Sequence, residues 1–172
     1  MAGLKKLTYL RVDRREFTHA LRTTVAAMAS FLVARWFGLP ESYWASVSTL
    51  IVMQSTVGAA WAVSKDRLAG TALGAAAGGI LATDADENVA LFGVGLFALG
   101  VLCAILRLRR SAYRYAGITL AIVMLIVRTQ PARIIAFHRF IEISVGIAIG
   151  LIVTALWPES EAQFAAGRAS DR

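Results

Sequence analysis

Charged residues in this chain fall in short clusters, and long uncharged runs lie between them. Residues 19–39, 43–61, 65–83, 89–106, 115–127 and 139–157 each read as an apolar run. This pattern predicts an all-α fold, a polytopic membrane bundle of six transmembrane helices. The fifth run is short for a hydrocarbon layer of roughly 30 Å. The links between runs have distinct characters. FGLPES turns the chain through Gly38 and Pro40, TDADEN is acidic, RLRRSAYR is basic, and RTQPARIIAFHR contains Pro131. The domains follow from this division. Residues 1–18 form a basic cytoplasmic lead-in helix, 19–158 the six-span membrane domain, and 159–172 a disordered cytoplasmic tail.

Within the third run, Gly70, Gly74 and Gly78 recur every four residues, and on a helix they line up as one stripe without side chains. Gly146 and Gly150 repeat the spacing in the sixth run. In water interior glycines weaken a helix. In a bilayer the backbone has no other hydrogen-bond partner, so the helix forms and the stripe admits a neighbour closely. These five glycines are therefore assigned to helix packing. The second run is the most polar, with Ser46, Ser48, Thr49, Gln54, Ser55 and Thr56. They line a polar path or bond a neighbouring helix.

Composition narrows the class. The chain has 172 residues, of which 58% are hydrophobic, and its mean hydropathy is +0.63, too apolar for a soluble domain of this length. A net charge of +7 would suit nucleic acid, but the basic residues flank the apolar runs, where they anchor helices and set topology. Nucleic acid is excluded as a partner on that ground; the lipid bilayer is the expected one. Cys103 is alone in an apolar run, so neither a disulfide framework nor a metal site is implied. No HExxH, GxxxxGK[ST] or GxSxG motif occurs. No catalytic residues and no cofactor are assigned, and an enzyme is not expected. No cleavable signal peptide is read at the basic N-terminus.

The positive-inside rule places both termini, the Lys65 link and the Arg107 link in the cytoplasm. It then leaves Arg128, Arg133 and Arg139 on the outer side, against the rule. An internal repeat supplies a reason. A shift of 72 positions carries Tyr43 to Tyr115, Arg67 to Arg139, Gly74 to Gly146 and Gly78 to Gly150. Three spans repeated make a 3+3 inverted repeat, which puts one arginine at each side.

Three separated phrases, LRTTVAAMASFLVARWFGLPESYWASVSTLIVMQSTVG, DRLAGTALGAAAGG and RFIEISVGIAIGLIVTALWP, resemble the fusaric acid resistance-like, or aromatic acid exporter, family over nearly all of 21–158. The matching marks are Leu21-Arg22-Thr23, Tyr43-Trp44-Ala45, Gln54 to Gly58, Asp66-Arg67 with Gly70-Thr71, and Arg139 with Glu142 and Gly146. The resemblance implies an inner-membrane exporter of aromatic carboxylates or related organic anions, and likeness to plant aluminium-activated malate channels. Many members carry a large cytoplasmic domain or a second membrane half, which these residues do not include. The resemblance thus implies a unit completed by a second copy, most simply a homodimer.

Arg67 and Arg139 are the candidate anion contacts, because a guanidinium can hold a carboxylate through two parallel hydrogen bonds. The plainer role for each is to anchor its helix in the headgroups. Tyr43 and Trp44 stack an aromatic substrate or belong to an interfacial belt. Gln54 joins them as a candidate substrate contact. Glu142 is read as a proton acceptor coupling export to the proton gradient, and Asp66, expected to pair with Arg67 or Lys65, is grouped with it. Two alternatives stand beside export: a non-transporting scaffold or subunit, and a passive anion channel.

Overall fold

The structure, a computed structural model, describes residues 14–54, 56–82, 88–126 and 130–157. The lead-in before Arg14, Ser55, most of the TDADEN link, Arg128 and the polar tail lie outside them. Among the described residues the chain forms six helices and no strand: α1 (Arg14–Trp36), α2 (Tyr43–Val52), α3 (Val57–Leu81), α4 (Val89–Ile105), α5 (Arg110–Leu125) and α6 (Ala132–Leu156).

Local chemistry sets the ends. α1 stops at Gly38, whose φ of +70° suits glycine. The N–H of Leu39 then reaches back to the Ala34 carbonyl at 3.1 Å, closing the last turn. The second and third helices are divided differently from the hydropathy pattern. α2 ends at Val52, and Met53 leaves the helical region with ψ 109°. Thr56 is extended, and its hydroxyl accepts the Ala59 N–H at 3.3 Å as an N-cap. Trp61 to Asp66 are therefore helical, and the helices part between Val52 and Val57. Hydropathy misses this break because its residues are uncharged and its flanks apolar. α5 and α6 likewise begin earlier than their apolar runs, at Arg110 and behind Pro131.

Two helical stretches, Glu16–Trp36 and Ala132–Leu156, are long and apolar enough to cross a bilayer by length and composition alone; α2 and α4 are shorter apolar helices. This is fewer than the six spans expected. α3 matches α6 in length, at 25 residues, but carries Lys65, Asp66 and Arg67 in its own body.

Of these, Lys65 is exposed beside Trp61, whereas Arg67 turns inward. Arg22 is 0% exposed, Glu142 1%, Arg139 2% and Arg67 4%, while Trp36 is 83% exposed, Leu156 81% and Phe97 74%. A soluble domain has the reverse arrangement, with ionic side chains in water and large apolar ones inside. Apolar groups facing out and ionic groups facing in are what a hydrocarbon solvent imposes.

α3 and α6 run antiparallel through the middle, meeting where Gly79 lies near Ala136. Each also packs against one parallel helix through its glycines. On α3, a methyl group added at Gly70 or Gly74 would strike the backbone carbonyl of Ala112 or Ala116 of α5, and one at Gly78 would lie 2.9 Å from Val123. On α6, a methyl at Gly146 would strike the Ala45 carbonyl of α2 and sit 2.6 Å from Ser48 Cβ, and one at Gly150 would meet Val52 at 3.2 Å. α4 packs on α5, with Gly100 beside Tyr113 and Gly117 beside Leu96. α1 lies across α2 and α6, where Ser46 donates to the Ala27 carbonyl at 2.8 Å.

Candidate functional site

Arg67 stands about 15 Å along α3 from its first residue at 1.5 Å per residue, well inside the helix rather than at its mouth. Its neighbours come from two other helices. Nε and Nη2 donate to Ser48 Oγ of α2 at 3.3 and 3.1 Å. Ser48 gives its own proton to the Trp44 carbonyl at 2.9 Å, so its lone pairs face the guanidinium. The Tyr115 ring of α5 lies under the guanidinium carbon at 5.1 Å, in cation–π range. One turn earlier on α3, the buried Ser64 hydroxyl has no hydrogen-bond partner among the described residues. No carboxylate among them is within ion-pair distance of Arg67. A desolvated cation that meets hydroxyls and a ring but no carboxylate among the described residues costs several kcal/mol unless an anion joins it.

The expected partner of Arg67 is engaged elsewhere. Asp66 accepts from Ser111 and faces Arg109 at 3.5 Å, because adjacent residues on a helix point about 100° apart. Asp66, Arg109, Arg110, Ser111, Arg114 and Tyr115 line a cleft of about 410 Å3 where α5 begins. Tyr115 thus belongs both to this basic cleft and to the Arg67 site.

Arg139 has a different setting. Its guanidinium stacks on the Trp44 ring at 4.3 Å, pairs with the Glu41 carboxylate, and lies 3.7 Å from Glu142. Glu142 accepts the Glu41 backbone N–H at 2.8 Å, and Trp44 Nε1 donates to Glu41 at 3.1 Å. A cleft of about 90 Å3 adjoins this group, walled by Ile122, Ile126, Gln130, Ile135 and His138.

The remaining candidates are dispersed. Tyr43 is half exposed, leans on the Trp44 ring at 5.6 Å and borders the Glu41–Arg139 group. Gln54 is at the opposite end of α2 from Trp44. Its carbonyl and that of Trp157 accept from buried Arg22 at 2.9 and 2.7 Å, so Arg22 joins the ends of α2 and α6. Glu41, Ser48 and Tyr115 were missed as site residues. Tyr115 had a signal, its match to the start of the second run; Glu41 looked like an ordinary loop acid.

The sequence model of the fusaric acid resistance protein family matches residues 16–172. The chain belongs to the fusaric acid resistance protein family. Among curated relatives, the "uncharacterized transporter YdhK" of Escherichia coli K12 is 31% identical over 167 residues, 92% of this chain and 25% of that protein. Its Salmonella typhimurium counterpart is 28% identical over 93% of this chain and 25% of its own length. The "inner membrane protein YeeA" of Escherichia coli K12 is 28% identical over 87% of this chain and 44% of its own. The chain thus spans a quarter to under half of the relatives it matches. No solved structure matches it. Family membership and the inverted burial together put this fusaric acid resistance-family chain in a membrane.

Proposed function

We propose that the chain is a membrane transport unit for organic anions, exporting aromatic carboxylates. The observation that carries the reading is Arg67, a buried guanidinium with no carboxylate partner among the described residues, set on the Tyr115 ring. An aromatic carboxylate supplies both missing elements, an anion for the cation and a ring for the tyrosine. The relatives named as transporters support the class. The basic cleft beside Tyr115 is a suitable approach, since clustered arginines raise the local anion concentration.

The architecture of the proposal is six crossings with both termini cytoplasmic, built as an inverted repeat. The doubled contact supports the repeat: Gly74 against Ala116 and Thr119 of α5 matches Gly146 against Ala45 and Ser48 of α2. Arg67 over Tyr115 likewise matches Arg139 over Trp44. Glu142, buried beside Arg139, is the group proposed to couple export to protons. A homodimer would use another face, because both glycine stripes are filled within one chain. α4 presents Val94, Phe97 and Val101 outward, with open space over Gly93.

The test is flux of labelled benzoate from proteoliposomes, with and without a pH gradient. Arg67→Ala is expected to reduce flux at least tenfold at normal insertion, and Arg67→Lys to restore part of it, since an ammonium lacks the two-pronged geometry. Equal flux in all three proteins would leave Arg67 an anchor, and no flux through the unmutated chain would put the scaffold reading in front.

A further inference from the structure

We infer that the nook formed by Arg139 and Trp44 is a second carboxylate-binding site, closed in this structure by the chain's own Glu41. The inference rests on the reading that Arg67 takes carboxylates, because the two sites are built alike. Each has a buried guanidinium stacked on a ring from a different helix. They differ in what meets the guanidinium: the Ser48 hydroxyl and Tyr115 at Arg67, but a carboxylate at Arg139.

Glu41 occupies that place as a ligand would. Its carboxylate accepts from Arg139 and from the Trp44 ring nitrogen at the same time. It lies outside the helices, held to α6 through its backbone N–H on Glu142, with its side chain the freer part. The arginine and Glu142 side chains are 3% and 1% exposed on α6, whereas the Glu41 side chain is 41% exposed, on the link between α1 and α2. Part of it is already exposed, so its withdrawal does not have to uncover a fully buried carboxylate. The link carries Gly38 at positive φ with open space around it. Beside the ion pair, the cleft of about 90 Å3 offers an isoleucine-lined wall to the apolar part of a small carboxylate.

Charge makes the occupancy exclusive. Arg139 brings one positive charge, and Glu41 and Glu142 together bring two negative ones. A further anion at this spot would meet net repulsion, so it enters only as Glu41 leaves. Glu41 is thus a tethered competitor for the substrate carboxylate, and the site opens by exchange of one carboxylate for another.

The experiment counts benzoate bound per chain, by calorimetry on the full chain in nanodiscs, with benzyl alcohol as the uncharged control. One benzoate is expected for the unmutated chain, at Arg67, and two for Glu41→Gln. Adding Arg139→Gln to Glu41→Gln should bring the count back to one, and so should adding Arg67→Gln. The proposal is overturned if Glu41→Gln binds no more benzoate than the unmutated chain, or if the extra benzoate survives Arg139→Gln. Should the unmutated chain bind none while Glu41→Gln binds one that Arg139→Gln removes, the Arg67 reading fails and this inference stands. If Glu41→Gln does not fold, Glu41→Ala, which also removes the competing carboxylate, carries the same two outcomes.

Discussion

Arg22 shows how a residue's neighbours redefine its role. In the sequence it ends a row of basic residues and looks like one more interfacial charge. In the fold it is wholly buried and donates to the carbonyls of Gln54 and Trp157, just past the ends of α2 and α6. A cation there also complements the negative ends of two parallel helices. Arg22→Ala should leave both carbonyls without this donor, at about 1–3 kcal/mol for each buried group. Unfolding in mixed micelles is expected to show a loss of about 2–5 kcal/mol, with Arg22→Lys in between. A change under 0.5 kcal/mol, the scale of an ordinary surface substitution, would mean water takes over the bonds. The same limit on legibility holds at Arg67. Its residue type and its arginine chemistry could be read in advance. That Ser48 and Tyr115 would be its neighbours could not, because they are remote in sequence and meet it only through packing.

At the scale of elements, the glycine stripes were legible and their partners were not. A four-residue spacing shows that one face of α3 is smooth, but nothing in it says that α5 lies there. The contact now ranks the glycines. Gly74→Ala should destabilise the chain by about 1–3 kcal/mol, the usual range for overpacking, because the added methyl meets the Ala116 backbone carbonyl, which cannot rotate away. Gly93→Ala on α4 has open space and should cost nothing, with a gain of up to about 1 kcal/mol from helix propensity. Comparing thermal unfolding of the two variants in one detergent checks the pair; equal losses would contradict the α3–α5 contact. The misplaced boundary between α2 and α3 has a related cause. Hydropathy averages over many residues, whereas a single threonine hydroxyl on one N–H fixes where α3 starts.

For the whole molecule, the alternation of charged clusters and apolar runs was enough to count the helices, but not to say which cross unaided. The answer lies in burial, since α3 hides Arg67 against α2 and α5 and ties Asp66 to Ser111, leaving Lys65 at the surface. Topology is open to direct measurement. With Cys103 replaced by serine, cysteines placed at Ser111 and Gln130 flank α5. Impermeant maleimide is expected to label Gln130→Cys from outside and Ser111→Cys only after the membrane is opened. Labelling of both from one side would mean that α5 does not cross, and the six-crossing arrangement would fall with it.

The pairing of α3 with α5 and of α2 with α6 also dictates an order of events at synthesis. α2 and α3 leave the ribosome well before the parallel helices paired with them through the two glycine stripes, although α2 already has α1 beside it. Until α5 follows, the smooth face of α3 borders lipid and Arg67 lacks its tyrosine. Until α6 follows, Ala45 and Ser48 have no glycine to receive them and Arg22 has no Trp157 carbonyl. The early helices must therefore wait in the bilayer as loosely held rods, and the last one closes the structure around them.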